Sequence, residues 1–139
     1  MRANKPTQEL EEISESECMD ILARHTIGRI AISVGGRPEI FPVNYGMGAG
    51  MIVFRTSLGT KLSYSPESHV AFEVDDYDAS TGLGWSVLVQ GIARDVTDAG
   101  DDFSWAARGV ELHSLMPGAT HMIAIEAGQI TGRRAQLSS

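Results

Sequence analysis

Short stretches in which apolar and polar residues alternate, each closed by a glycine or proline turn, recur along most of this chain and limit what it can fold into. Val70, Phe72 and Val74 alternate with Ala71 and Glu73, the two-residue period of a half-buried strand. Gly35-Gly36, between two such runs, is a hairpin signal because both central positions of the tight turn need positive φ. On this basis strands are expected over residues 29–34, 37–45, 51–56, 69–75, 85–96 and 121–126. Pro38 and Pro42 in the second run mark an edge or a bulge, since proline gives the ladder no N–H. Residues 46–50 read as a glycine turn. Five or six strands joined mainly by hairpins, with little helix, predict a mainly β fold, an antiparallel barrel with a few short flanking helices.

The helical signals are few. Ser14 followed by Glu17 has capping-box spacing, and Cys18, Ile21 and Leu22 then share one face of a helix that ends near His25. A helical turn is expected over residues 60–64 and a short helix over 101–107, opened by Asp101. Residues 1–8 read as a flexible arm, the acidic run 9–17 as a solvated helix start, and residues 128–139 as a polar tail. With 139 residues, one domain over 9–139 is expected.

Charge narrows the partners. Eleven Lys and Arg against 18 Asp and Glu leave a net charge of −7, which disfavours nucleic acid. The apolar runs are too short to cross a bilayer, and one cysteine, Cys18, forms no internal disulfide. A cytosolic protein without a membrane partner is expected. His25, His69, His113 and His121 have no metal-ligand spacing and read as surface or strand-end residues, so no metal site is expected. The acidic residues leave a locally positive island, Arg55-Thr56-Ser57-Leu58-Gly59-Thr60-Lys61. There a glycine permits close backbone approach, a threonine offers a hydroxyl and a lysine offers a charge, the makings of a phosphate cradle. The same residues also suit an ordinary strand-to-helix junction, and spacing alone leaves both readings open.

Three pieces of the chain carry a resemblance. Gly28-Arg29-Ile30-Ala31, the run Phe41-Pro42-Val43-Asn44-Tyr45, and Phe54-Arg55-Thr56-Ser57-Leu58-Gly59-Thr60-Lys61 resemble the pyridoxamine 5′-phosphate oxidase-like flavin-binding split barrels. Within that family the actinobacterial-type flavin and deazaflavin branch is the better match. Ala71-Phe72-Glu73-Val74-Asp75, Gly84-Trp85-Ser86 and Ile130-Thr131-Gly132-Arg133-Arg134 extend the likeness over residues 10–135. The resemblance implies a homodimer of six-stranded antiparallel Greek-key split β-barrels, with two FMN molecules at the dimer interface. It implies that Thr56, Thr60 and Lys61 contact the flavin phosphate, with Arg55 beside them at a variable position. It further implies that Pro42, Val43 and Asn44 line the isoalloxazine edge, and that Trp85 and Ser86 reach the partner's flavin. Leu62-Ser63-Tyr64 stands where the vitamin B6 oxidases carry a second basic residue, which argues against that substrate. The expected function is an FMN-dependent oxidoreductase acting on a small organic molecule. A deazaflavin-dependent reductase and a non-catalytic flavin or haem carrier are the alternatives. No catalytic side chain is assigned.

Overall fold

The computed structural model describes residues 8–57, 68–96 and 121–137. Seven strands and one helix follow in the order β1 (Gln8–Ile13), α1 (Glu15–Arg24), β2 (Ile27–Val34), β3 (Arg37–Gly48), β4 (Met51–Thr56), β5 (Ser68–Asp78), β6 (Leu83–Asp95) and β7 (His121–Leu137). All pairings are antiparallel. The sheet runs β1-β7-β4-β3-β2-β5-β6, and β6 pairs back onto β7. Six strands therefore close into the expected barrel, and β1 is an additional seventh strand on the outer edge of β7.

Strand β1 corrects two expectations. The acidic run is not all helix start: Glu11 and Glu12 lie on a strand, opposite Arg134 and Arg133 of β7. The supposed polar tail supplies those arginines and is the second half of one 17-residue strand. Opposite charges directly across an antiparallel pair favour that docking. β7 stays continuous through a register shift opposite Gln90 and Gly91, where Ala127 pairs with Gly91 and Gln129 with Gln90. Gly128 is the extra residue of that bulge.

The β2–β3 hairpin forms as read, with Gly35 and Gly36 at φ 57° and 80°. The second turn is tighter than expected. Gly46, Met47 and Gly48 continue β3 against Val53, Ile52 and Met51, leaving Ala49 and Gly50 as a two-residue turn at φ 52° and 77°. Among the described residues β4 pairs with β3 only over Tyr45–Gly48. The half of β3 that carries Pro38 and Pro42 thus has β2 as its one described neighbour, which is where proline is tolerated.

Strand alternation divides the side chains into two sets. Inward residues such as Ile30, Val43, Tyr45, Phe54, Phe72, Val87, Val89, Ile123 and Ile125 form the core. Helix α1 closes the barrel by inserting Cys18, Ile21 and Leu22. Its start is held as predicted, with Glu17 N–H donating to the Ser14 hydroxyl at 3.2 Å. Three contacts fix it to the barrel: the Tyr45 hydroxyl donates to the Leu22 carbonyl at 2.6 Å, Arg134 pairs with Glu17, and the His25 ring at the helix end packs at a tilt against Trp85 with centroids 4.8 Å apart. No described helix is long and apolar enough to cross a membrane.

Candidate functional site on the outer barrel face

Alternation decides which of the expected site residues can meet a ligand. On β4 the inward residues are Ile52, Phe54 and Thr56, so Arg55 and Ser57 face outward and are exposed. Thr56 is fully buried, and its side chain belongs to the inner face. On β3 the inward residues are Val43 and Tyr45, which leaves Pro42 and Asn44 outside. Val43 is 1% exposed and packs in the core. Tyr45, two residues on along the strand, spends its hydroxyl on the Leu22 carbonyl, and burial pushes its phenol pKa well above the usual range.

Register gathers the outward set. Asn44 pairs with Ile27, and continuing the β3–β4 register one residue beyond Tyr45–Phe54 places Arg55 beside Asn44. Pro42 pairs with Arg29. Ile27, Arg29, Pro42 and Asn44 therefore share the outer surface of β2 and β3, and Arg55 points outward from β4 next to Asn44. Ser86 faces outward from β6 and pairs with Asp75 of β5, which lies in the same row as Ile27. Three strand spacings, about 14 Å along the curved surface, separate Ser86 from Asn44. Trp85 is turned the other way: half-buried, it packs against the core and the His25 ring. Thr60 and Lys61, together with the expected helical turn, lie outside the described residues, as do the helix expected over 101–107 and His113.

The patch is electrostatically graded. Arg29 reaches Glu73 at 3.2 Å and Asp75 at 3.4 Å. Glu73 is pushed up to about 7, chiefly by burial and then by Asp75, with Arg29 opposing. A carboxyl that keeps its proton near neutrality can donate a hydrogen bond from this face. An anion is disfavoured beside Glu73 and Asp75 and favoured at the Arg55 end. The residues described therefore fit a flat ligand with one anionic end, its charged group directed toward Arg55. An open groove of about 630 Å³ continues the outer surface past β5, lined in part by Ala71, Gln90 and Gln129.

Sequence reasoning passed over one pair. His121 stands opposite Thr56 on the last rung of the β4–β7 ladder, and its Nδ1 lies 2.7 Å from Asp95 Oδ2 at the end of β6. Twenty-six residues separate the two, and only the β6–β7 register brings them together. No group of three or more metal-ligating side chains occurs among the described residues.

Comparison with known proteins agrees with this architecture. The family model described as pyridoxamine 5′-phosphate oxidase matches residues 14–134. The chain belongs to the pyridoxamine 5′-phosphate oxidase-like family. The FAD binding protein from Mycobacterium smegmatis, of known structure, is 39% identical, with a TM-score of 0.72 over 91% of this chain and 99% of that one. A putative pyridoxamine 5′-phosphate oxidase from Corynebacterium glutamicum is 28% identical, with a TM-score of 0.78 over 99% of both chains. Rv0080 of Mycobacterium tuberculosis is 36% identical over 97 residues, 66% of this chain. The match spans 64% of the length of that relative.

Proposed function

We propose that this oxidase-like barrel binds a flavin along the outer face of β2–β4 and uses it in oxidation–reduction of a small organic molecule. The observation that carries the reading is the outward patch itself. Pro42, Asn44 and Arg55, three residues singled out by the family resemblance, are brought onto one surface with a cationic end. In this reading Arg55 and Ser57 flank the cofactor phosphate, and Thr60 and Lys61 complete the cradle. Pro42 and Asn44 lie along the ring, and the flavin when bound supplies the electron chemistry. Thr56 serves from within, by fixing the end of β4 rather than by touching the phosphate with its buried side chain. Arg29 and the carboxyl of Glu73 close the far side of the patch, where the ring has no anionic group to repel.

FMN is the expected form. The FAD-binding relative at 39% identity favours a second form, FAD, bound by the same face. Deazaflavin asks for further cations along the exit from the patch, and Arg29 is already committed to Glu73 and Asp75. A second copy of the chain is proposed to complete the groove. Ile27 and Ile40, 55% and 68% exposed, lie on the same face and would be covered, and the partner's Ser86 would border the ligand. The test is equilibrium titration of the purified protein with FMN, FAD, riboflavin and a deazaflavin. Saturable binding that favours the phosphorylated flavins supports the reading, and absence of flavin binding refutes it. Lys61→Ala should weaken FMN binding by about 10- to 150-fold, the range of a hydrogen bond to a charged group.

A further inference from the structure

The flavin reading sets Glu73 at the far side of the patch and assigns it no contact. Register places Pro42, Arg29 and Glu73 in one row across β3, β2 and β5, on the outer face. Neighbouring strands lie about 4.8 Å apart, which puts Glu73 roughly 10 Å from Pro42 and within the span of a three-ring flavin. Its neighbours are low and uncharged on two sides. Ala31 and Ala71 pair on the next outward rung, and Leu88 stands opposite on β6, half-buried. Past Ala71 the surface opens into the groove of about 630 Å³. A flat molecule can therefore come down over this carboxyl, whose side chain is 31% exposed.

The charges around Glu73 decide what it offers. One guanidinium nitrogen, Arg29 Nη1, lies 3.2 Å from Glu73 Oε1 and 3.4 Å from Asp75 Oδ2, which gathers the two carboxyls and occupies one oxygen of each. Among the described residues, the titratable and charged groups that face Glu73 are Arg29 from β2 and Asp75 from β5, with His69 four residues away on the same strand. β6 presents Ser86, Leu88 and Gln90, which carry no charge, and Arg133 of β7 lies beyond Ser86. With Glu73 held near 7, both of its forms are present at neutral pH. The protonated form donates a hydrogen bond, and the ionised form only accepts. The oxidised flavin ring is uncharged, and the carbonyl oxygens on its edge are acceptors.

We propose that Glu73, in its protonated form, donates a hydrogen bond to a carbonyl oxygen of the flavin ring while Arg29 holds Asp75 aside, so that ring binding requires the Glu73 proton. The proposal rests on the flavin reading and deepens it at the ring end, on residues apart from the phosphate cradle.

Riboflavin isolates the ring, since it lacks the phosphate and has no group of its own that titrates near neutrality. Its dissociation constant is measured from about pH 6 to about pH 8 on the wild type, Glu73→Gln, Glu73→Ala and Asp75→Asn, with FMN in parallel and folding checked by circular dichroism. For the wild type the constant should rise about 5- to 10-fold over this interval as the donor is lost. Glu73→Gln keeps a donor at every pH, so it should bind as the wild type does at low pH and lose the pH dependence. Glu73→Ala should bind about 5-fold or more weakly at low pH and lose the dependence too. Asp75→Asn removes a carboxylate that helps to hold the proton, and the midpoint of the dependence should move to lower pH. A merely structural role would not move that midpoint, and this variant carries the test if both Glu73 variants fail to fold. If only FMN binds measurably, the difference between wild type and Glu73→Gln across the interval is read instead, because titration of the phosphate is common to both. Flavin binding by the wild type that is independent of pH, or a dependence that persists in Glu73→Gln, would overturn the proposal and leave the flavin site standing. A wild type that binds neither flavin would remove the flavin reading and this contact together.

Discussion

Glu73 keeps a proton that an exposed carboxyl would release, because burial and the neighbouring Asp75 outweigh the attraction of Arg29. The folded-state value of about 7 lies above the ordinary carboxyl value of 4.5, so the folded protein binds more protons than the unfolded chain between these limits. Stability should therefore fall as pH rises from about 4.5 to about 7. Glu73→Gln should flatten this part of the profile, as read from thermal unfolding across that range. A second residue-level prediction concerns Tyr45. Tyr45→Phe leaves the Leu22 carbonyl without its 2.6 Å partner at the barrel end, and denaturant unfolding should report a loss of about 1–3 kcal/mol. At this scale the sequence held more than was drawn from it. Phe54 reads as a core residue, and two residues further along the same strand Thr56 must share its face. The strand period alone would have turned Thr56 inward and Arg55 outward. The Asp95–His121 pair had no such signal, because neither residue's spacing reveals the register that joins them.

The elements show where local chemistry suffices and where it does not. Gly35-Gly36 announces its hairpin because two consecutive positive φ values nearly demand glycine. The turn at Ala49 and Gly50 was blurred by three further residues, Gly46-Met47-Gly48, that look like turn but pair as strand. There Ala49 holds a φ of 52°, a conformation unfavourable to a Cβ, so Ala49→Gly should stabilise the protein by roughly 0.5 kcal/mol. The end of β7 was hidden for a different reason. Its inward positions include Gly132 and Arg134, not a regular apolar set, because helix α1 fills the barrel end. A Cβ on Gly132 would stand 2.5 Å from Cys18 Sγ and 3.1 Å from Ile13 Cβ. Gly132→Ala should consequently force α1 away from β7 and cost about 1–3 kcal/mol, measurable as a lower unfolding midpoint.

For the whole molecule, the closed six-strand ring explains how a chain with a net charge of −7 can still present an outward cation, Arg55, away from its carboxylates. Closure fixes an inside and an outside, and alternation then places Arg55 outward while the acidic residues of β5 lie two strands from Asn44. The barrel class was legible from turns and alternation. β1 was not, since a strand composed largely of glutamate is stable only where Arg133 and Arg134 face it. If a second copy completes the groove, sedimentation at micromolar concentration should give twice the monomer mass, and a monomer would contradict the shared site. The central claim is that the outer face of β2–β4 binds a flavin by its phosphate end. Titration of FMN against the wild type and Arg55→Ala tests it most directly. Saturable binding by the wild type, weakened in the variant for FMN but not for riboflavin, is the predicted result. No saturable binding by the wild type, or an Arg55→Ala variant that binds FMN as tightly, would contradict it.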